Sequence, residues 1–213
     1  MSLLKVAVCN GSLGPRLIEF LKTGGYQLKE PDRTGSLGTS NGIEFVQVDR
    51  RMVPQFIRDG EFDAGVTGYD LLLASNFEND LRVMAKLCFS RASDVPTRWA
   101  LVAKPGYQLR PHSVIGCELP SLVSRIVPGS HHVSLKRIEG SEELCVKYGI
   151  VEAALVVVET GSSLRACGLE IVAGFDNLLE SVPCLMANSR GRVGLPSARS
   201  SPTFLPITSL VPE

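Results

Sequence analysis

Leu155-Val156-Val157-Val158-Glu159-Thr160-Gly161-Ser162-Ser163-Leu164-Arg165 is the stretch that decides the fold class. The aliphatic run Ala153 to Val158 is the longest uninterrupted apolar segment of the chain. Six residues are far short of the ~20 needed to cross a bilayer, and they suit a strand buried on both faces. The small hydroxyl-rich turn that follows leads into a helix expected over Gly161 to Cys167. A strand passing through such a turn into a helix is the building unit of α/β proteins.

The same turn is a candidate anion site. N–H groups at a helix start lack intrahelical partners, and the helix dipole favours negative charge there. Thr160, Ser162 and Ser163 add hydroxyl donors, and Gly161 allows a phosphate to approach the backbone. No lysine followed by Ser/Thr is present as in a P-loop, so a phosphomonoester suits the turn better than a triphosphate. The residues would equally serve as a plain helix cap, and the local pattern does not choose between the two.

Outward from this unit, short apolar strands alternate with amphipathic helices. Toward the N-terminus, strands are expected at Leu4–Cys9, Ile43–Val48 and Phe62–Val66. Helices are expected after Asn10-Gly11-Ser12-Leu13-Gly14-Pro15, over Val53 to Arg58 and over Tyr69 to Ala74. Leu81–Leu87 and Trp99–Lys104 read as strands on either side of a polar crossover, Ser90 to Arg98. A second alternating block has strands at Ser113–Cys117, His132–Ile138, Ala153–Val158, Leu169–Val172 and Pro183–Ala187. Its helices are expected at Pro120–Ile126, Glu142–Tyr148 and Gly161–Cys167. Two α/β blocks joined by crossovers predict two lobes around a ligand cleft. Residues 1–91 and 186–213 would form lobe I, and residues 92–185 would form lobe II, which carries the phosphate loop. The proline-bearing tail from Asn188 would lie along the surface or fray.

Composition narrows the function classes. Of the 213 residues, 44% are hydrophobic and 21% charged, ordinary values for a globular protein. Twenty-two basic residues balance 22 acidic ones, so no basic surplus is available for a nucleic-acid footprint. The N-terminus Met1-Ser2-Leu3-Leu4-Lys5 lacks the pattern of a signal peptide. Six scattered cysteines with no CxxC pair fit reduced thiols in a cytoplasmic protein. No ligand spacing for a structural zinc is present. His131 and His132, placed next to each other on a strand, would point to opposite faces and read as surface residues.

Two further turns carry candidate binding residues. Asn10-Gly11-Ser12 links a strand to a helix, and Thr67-Gly68-Tyr69-Asp70 follows another strand end. Asp70 also suits a helix cap. Arg33, Arg50 and Arg51 could grip phosphates through charge-assisted hydrogen bonds.

The combination of Val53-Pro54, Gly60 and Asp63-Ala64-Gly65-Val66-Thr67-Gly68-Tyr69-Asp70 resembles the first half of the ATP phosphoribosyltransferase family of histidine biosynthesis. Gly140-Ser141-Glu142-Glu143, Gly149 and Val158-Glu159-Thr160-Gly161-Ser162-Ser163-Leu164-Arg165-Ala166-Cys167-Gly168-Leu169 resemble its second half. Leu185-Met186-Ala187-Asn188 is similar to its closing strand. The resemblance implies a two-lobed fold like the type II periplasmic binding proteins. It implies a glycosyltransferase reaction in which N1 of ATP attacks C1 of phosphoribosyl pyrophosphate, with Mg²⁺ bound alongside the substrates. It assigns the ribose 5-phosphate to Glu159, Thr160, Gly161, Ser162, Ser163 and Leu164. The nucleotide side would comprise Asn10, Gly11, Ser12, Arg33, Thr67, Gly68 and Asp70. No catalytic side chain and no protein metal ligand is assigned. The chain is also similar to the family's short form, which implies a homo-oligomer working with a regulatory subunit like histidyl-tRNA synthetase.

Several positions depart from the family pattern. Asn10 stands where relatives carry lysine, Asp49 where they carry arginine, and Met52 where they carry aspartate. Val156 takes the place of an acidic residue that holds the ribose hydroxyls, and a valine cannot accept those hydrogen bonds. The sequence therefore leaves two hypotheses, an active transferase and an impaired paralogue or binding protein for a phosphorylated or other anionic ligand. Arg50 and Glu152 are the residues available to compensate.

Overall fold

A computed structural model describes residues 3–87, 89 and 97–189. The chain divides into two compact units, Met1–Asp94 with Val182–Glu213, and Val95–Ser181.

The first unit is built on a six-stranded sheet. Its strands are β1 (Leu4–Cys9), β2 (Ser36–Ser40), β3 (Ile43–Val48), β4 (Ala64–Gly68), β5 (Leu81–Lys86) and, from the second crossing of the chain, β12 (Pro183–Asn188). Their order is β2-β3-β1-β4-β12-β5. β1 runs parallel to β3 and β4, while β12 is antiparallel to both β4 and β5. Helices α1 (Gly14–Thr23), α2 (Val53–Arg58) and α3 (Tyr69–Ser75) complete the unit. In α1, Leu17, Ile18 and Leu21 recur at helical spacing and are buried. They join a core with Val6, Val8, Phe45, Ile57 and Met186. Asn188 closes β12 by donating from Nδ2 to the carbonyls of Ile57 and Arg58, at 3.2 and 3.0 Å, which satisfies the end of α2.

The second unit has a sheet ordered β10-β6-β9-β7-β8, with β11 pairing on β6. These strands are β6 (Thr97–Ala103), β7 (Val114–Cys117), β8 (Ser134–Arg137), β9 (Ala153–Val158), β10 (Glu170–Ile171) and β11 (Leu179–Ser181). The helices are α4 (Pro120–Ile126), α5 (Glu142–Lys147) and α6 (Ser162–Cys167). β9 is central, antiparallel to β6 and parallel to β7.

Four sequence expectations change. β2 was not anticipated; it forms a hairpin with β3 through Asn41-Gly42, both at positive φ (54° and 77°), the backbone of a tight hairpin turn. The strand expected at Phe62–Val66 starts at Ala64. Asp63 already pairs with the main chain of Lys5, accepting at Oδ2 and donating from its own N–H. His131 and His132 lie on a 3-10 turn, Ser130–His132, with ring centroids 3.9 Å apart, so they do not sit on opposite faces of a strand. Pro183, Cys184 and Leu185 pair within the first sheet. The expected crossover at Ser90–Arg98 falls largely outside the described residues, and Thr97 and Arg98 open β6. The tail beyond Ser189 also lies outside them. Among the described residues, no helix is long and apolar enough to cross a membrane.

Candidate active site

On the second unit, β9 ends at Val158 and the turn Glu159-Thr160-Gly161 feeds α6. Gly161 is the N-cap residue at φ +68°, a conformation that L side chains rarely adopt, and no side chain caps the helix there. Thr160, Ser162 and Ser163 are exposed. Thr160 Oγ1 donates to Ser162 Oγ at 3.2 Å. Arg165 folds back across the turn, its Nη1 donating to the Thr160 carbonyl at 3.0 Å. A Cβ on Gly161 would stand 3.4 Å from that nitrogen. First-turn N–H groups, three hydroxyls and a guanidinium thus gather on one small exposed surface, the donor set a phosphate monoester needs. Leu164 belongs to the packing behind it: its side chain is buried with Val146, Val156 and Leu169, leaving only its N–H for a ligand. Arg165 was missed as a candidate although it lies within the decisive stretch, because its reach back to Thr160 depends on the helix geometry.

Val156 is 5% exposed and packs in the same cluster, with Val146 and Val151 near α5 and Leu164 on α6. Its side chain is part of the core of this unit and is not a surface group. Glu152 does not compensate. It sits before β9, at the opposite end of the strand from the turn, accepting from the Val114 N–H at 2.9 Å and from Arg110 at 3.2 Å. The loop before α5 adds an unanticipated feature. Ser141 takes φ +65°, and Glu142 is buried at 9% exposure. Burial pushes the Glu142 carboxyl above its ordinary range, and the charges of Glu118 and Glu143 push the same way.

On the first unit, the C-terminal ends of β1, β3 and β4 bring together most of the residues expected on the nucleotide side. The Asn10 N–H donates to the Val48 carbonyl at 2.8 Å, which ties the turn to β3. Gly11–Leu13 forms a 3-10 turn with Gly11 and Ser12 exposed. Asn10 Oδ1 accepts from the Arg50 N–H at 3.1 Å. Thr67 is fully buried, and its hydroxyl donates to the Arg50 carbonyl at 3.0 Å, so its side chain supports the surface from behind. Asp70 is likewise buried, accepting from the Leu71 N–H at 3.0 Å. Its carboxylate occupies the space a side chain at position 68 would need, which is why glycine stands there.

Arg33 lies on an exposed loop that Asp32 organises. Asp32 Oδ1 accepts from the Thr34 hydroxyl and from the N–H groups of Thr34 and Ser36. Those bonds hold the Asp32 carboxyl down at about 2. The Gly35 carbonyl of this loop accepts from the Gln47 N–H at 2.7 Å, beside the Val48–Cys9 pair, so Arg33 belongs to the same edge of the sheet. Asp49 is spent on its own turn, accepting from the Arg51 N–H at 2.9 Å. Among the described residues, no group of three or more His, Cys, Asp or Glu side chains gathers to hold a metal ion.

Residues 50–195 match the family model for HisG, ATP phosphoribosyltransferase. The chain belongs to the ATP phosphoribosyltransferase family. It is 28% identical over 179 residues to the ATP phosphoribosyltransferase of Nitratidesulfovibrio vulgaris (strain DSM 19637 / Miyazaki F), covering 81% of this chain and 60% of the relative. The chain therefore spans about 60% of the length of the curated relatives it matches. Its fold is similar to that of a chain in the ATP phosphoribosyl transferase (HisG:HisZ) complex from Thermotoga maritima, with a TM-score of 0.71, 21% identity and 87% of each chain covered. It is also similar to the VFT2 domain of Bordetella pertussis BvgS, with a TM-score of 0.53, 16% identity, and coverage of 87% of this chain and 80% of that one. The α/β architecture in two units is common ground with both. In family terms, the region matched by the model includes β4 with Thr67-Gly68 and the whole β9–turn–α6 unit.

Proposed function

We propose that this chain catalyses the first step of histidine biosynthesis, the condensation of ATP with phosphoribosyl pyrophosphate to phosphoribosyl-ATP and pyrophosphate. The observation that carries the reading is the exposed turn Thr160-Gly161-Ser162-Ser163. It has uncapped helix N–H groups and Arg165 folded over it, inside the region that matches the family model. In the reaction, the bond from C1 to the pyrophosphate oxygen breaks as the bond from N1 of ATP to C1 forms. Placement of the two substrates and stabilisation of the departing charge do the work, and no covalent nucleophile is needed. Glu159 to Leu164 anchor the ribose 5-phosphate through main-chain N–H groups and hydroxyls. Gly11, Ser12, Arg33 and the Gly68 main chain face the nucleotide, with Asn10, Thr67 and Asp70 supporting them from within. Mg²⁺ belongs with the phosphate oxygens of the substrates, hard oxygen ligands of the kind it prefers.

The Thermotoga maritima neighbour is a complex of two kinds of subunit. That likeness supports a second, HisZ-like kind of subunit as partner, and the family resemblance implies a homo-oligomer with a regulatory subunit like histidyl-tRNA synthetase. The five described cysteines are free thiols, which suits the cytoplasm. One observation favours a second reading: at the position where the family resemblance implies an acidic residue that holds the ribose, this chain has a buried valine, Val156. On that reading the chain binds a phosphorylated ligand without turning it over.

The experiment incubates the pure protein with ATP, phosphoribosyl pyrophosphate and Mg²⁺, with and without a regulatory subunit, and looks for phosphoribosyl-ATP. Product supports the transferase; binding of phosphoribosyl pyrophosphate without product supports the second reading. A bulky residue in Gly161→Val should weaken phosphoribosyl pyrophosphate binding. Unchanged affinity would place the anion elsewhere.

A further inference from the structure

Arg50 is held at both of its main-chain groups by side chains from elsewhere. Asn10, 40 residues earlier, accepts from its N–H at 3.1 Å. Thr67, 17 residues later, donates to its carbonyl at 3.0 Å. Asn10 is tied in turn to the end of β3 through Val48, and Thr67 is fully buried within β4. Two neighbouring strands thus spend their terminal polar side chains on one residue of the turn before α2. The following residue is fixed separately, by Asp49.

The Arg50 side chain runs beside the exposed turn at the end of β1. A Cβ on Gly11 would stand 3.7 Å from Arg50 Cδ. The side chain is half-buried, and its charge reaches inward far enough to oppose the effect of burial on the Cys9 thiol. The C-terminal ends of the parallel strands β1, β3 and β4 meet at this point, the edge at which open α/β sheets bind ligands. A guanidinium carried on a main chain that is fixed on both sides offers planar, charge-assisted donors suited to phosphate oxygens.

We infer that Arg50 binds a pyrophosphate group, with Asn10 and Thr67 as its positioning residues. The group belongs either to the polyphosphate of ATP or to phosphoribosyl pyrophosphate. This rests on the transferase reading above and adds a binding residue to it. It also changes the role of Asn10, whose carboxamide oxygen is engaged with Arg50 and positions it.

The test titrates the full chain with inorganic pyrophosphate, ATP and phosphoribosyl pyrophosphate in Mg²⁺, and repeats the titrations at several salt concentrations. Arg50→Ala should weaken pyrophosphate binding about 10- to 100-fold and flatten its salt dependence, while still melting cooperatively. Arg50→Lys should recover part of the affinity. Thr67→Val and Asn10→Ala should weaken binding in the parent and add nothing in the Arg50→Ala background, since positioning residues act only through the group they place. Loss for ATP alone or for phosphoribosyl pyrophosphate alone identifies the source of the group. Parent-like pyrophosphate binding by Arg50→Ala, or equal losses from Thr67→Val with and without Arg50, overturns the inference. A parent that forms phosphoribosyl-ATP yet shows no binding of pyrophosphate overturns this inference and leaves the transferase reading intact. Binding lost with Arg50 in a protein that forms no product sustains the inference and defeats that reading.

Discussion

Val156→Asp supplies the acidic residue that the family resemblance implies at this position and asks whether the position faces a ligand or the core. The side chain is 5% exposed and packed among Ala100, Val146, Val158 and Leu164. Removing it loses about 1.5–3 kcal/mol of apolar burial. The new carboxyl's neighbours in that cluster are hydrophobic, so burial disfavours the ionised carboxylate and raises its pKa. A rise of about 2–3 pKa units is worth ~3–4 kcal/mol at neutral pH. The expected total, ~4–7 kcal/mol, is comparable with the whole stability of an ordinary domain. The sign follows from linkage. Raising the folded-state pKa leaves the ionisation penalty absent below the unfolded value of ~3.9 and complete above the folded value. The deficit should therefore grow between pH 4 and pH 7.5. Trp99 is the single tryptophan, 3% exposed and paired across the sheet with Val157. Urea melts followed by its fluorescence report this unit directly. A variant as stable as the parent at pH 7.5, or one that gains phosphoribosyl-ATP formation, would refute the assignment of Val156 to the core.

Two more outcomes follow from buried ionisable groups. Because burial raises the Glu142 carboxyl, its ionisation opposes folding increasingly as pH rises above ~4.5. Glu142→Gln should melt higher than the parent at pH 8, with the gap closing at pH 4; a gap that widens in acid would count against this. Cys9, Cys117 and Cys184 are buried with thiols pushed up to about 12, whereas Cys145 and Cys167 are half-exposed. Alkylation at pH 8 read by mass spectrometry should label the latter pair first, since the thiolate is the nucleophile. Early labelling of Cys9 would contradict the packing at the end of β1.

Much of the fold is legible in local sequence because local chemistry sets it. The bounds of β9 follow from an aliphatic run that stops at Glu159-Thr160-Gly161, and α1 follows from Leu17, Ile18 and Leu21 at helical spacing. The turn before α6 is legible for the same reason: a glycine at positive φ and small hydroxyl residues specify both the helix start and its donor-rich surface. The hairpin of β2 and β3 carried a readable signal in Asn41-Gly42, but Gly35 and Gly38 obscured the strand leading into it. What the tertiary structure alone decided is which way side chains face and which distant residues meet. β9 is apolar on both faces, so its sequence holds no alternation to say that Val156 turns toward α5 and α6. Asn10, Arg50 and Thr67 lie on a strand end, a turn and a second strand. Only the pairing of β3, β1 and β4 brings two hydrogen-bonding side chains to the main chain of one arginine.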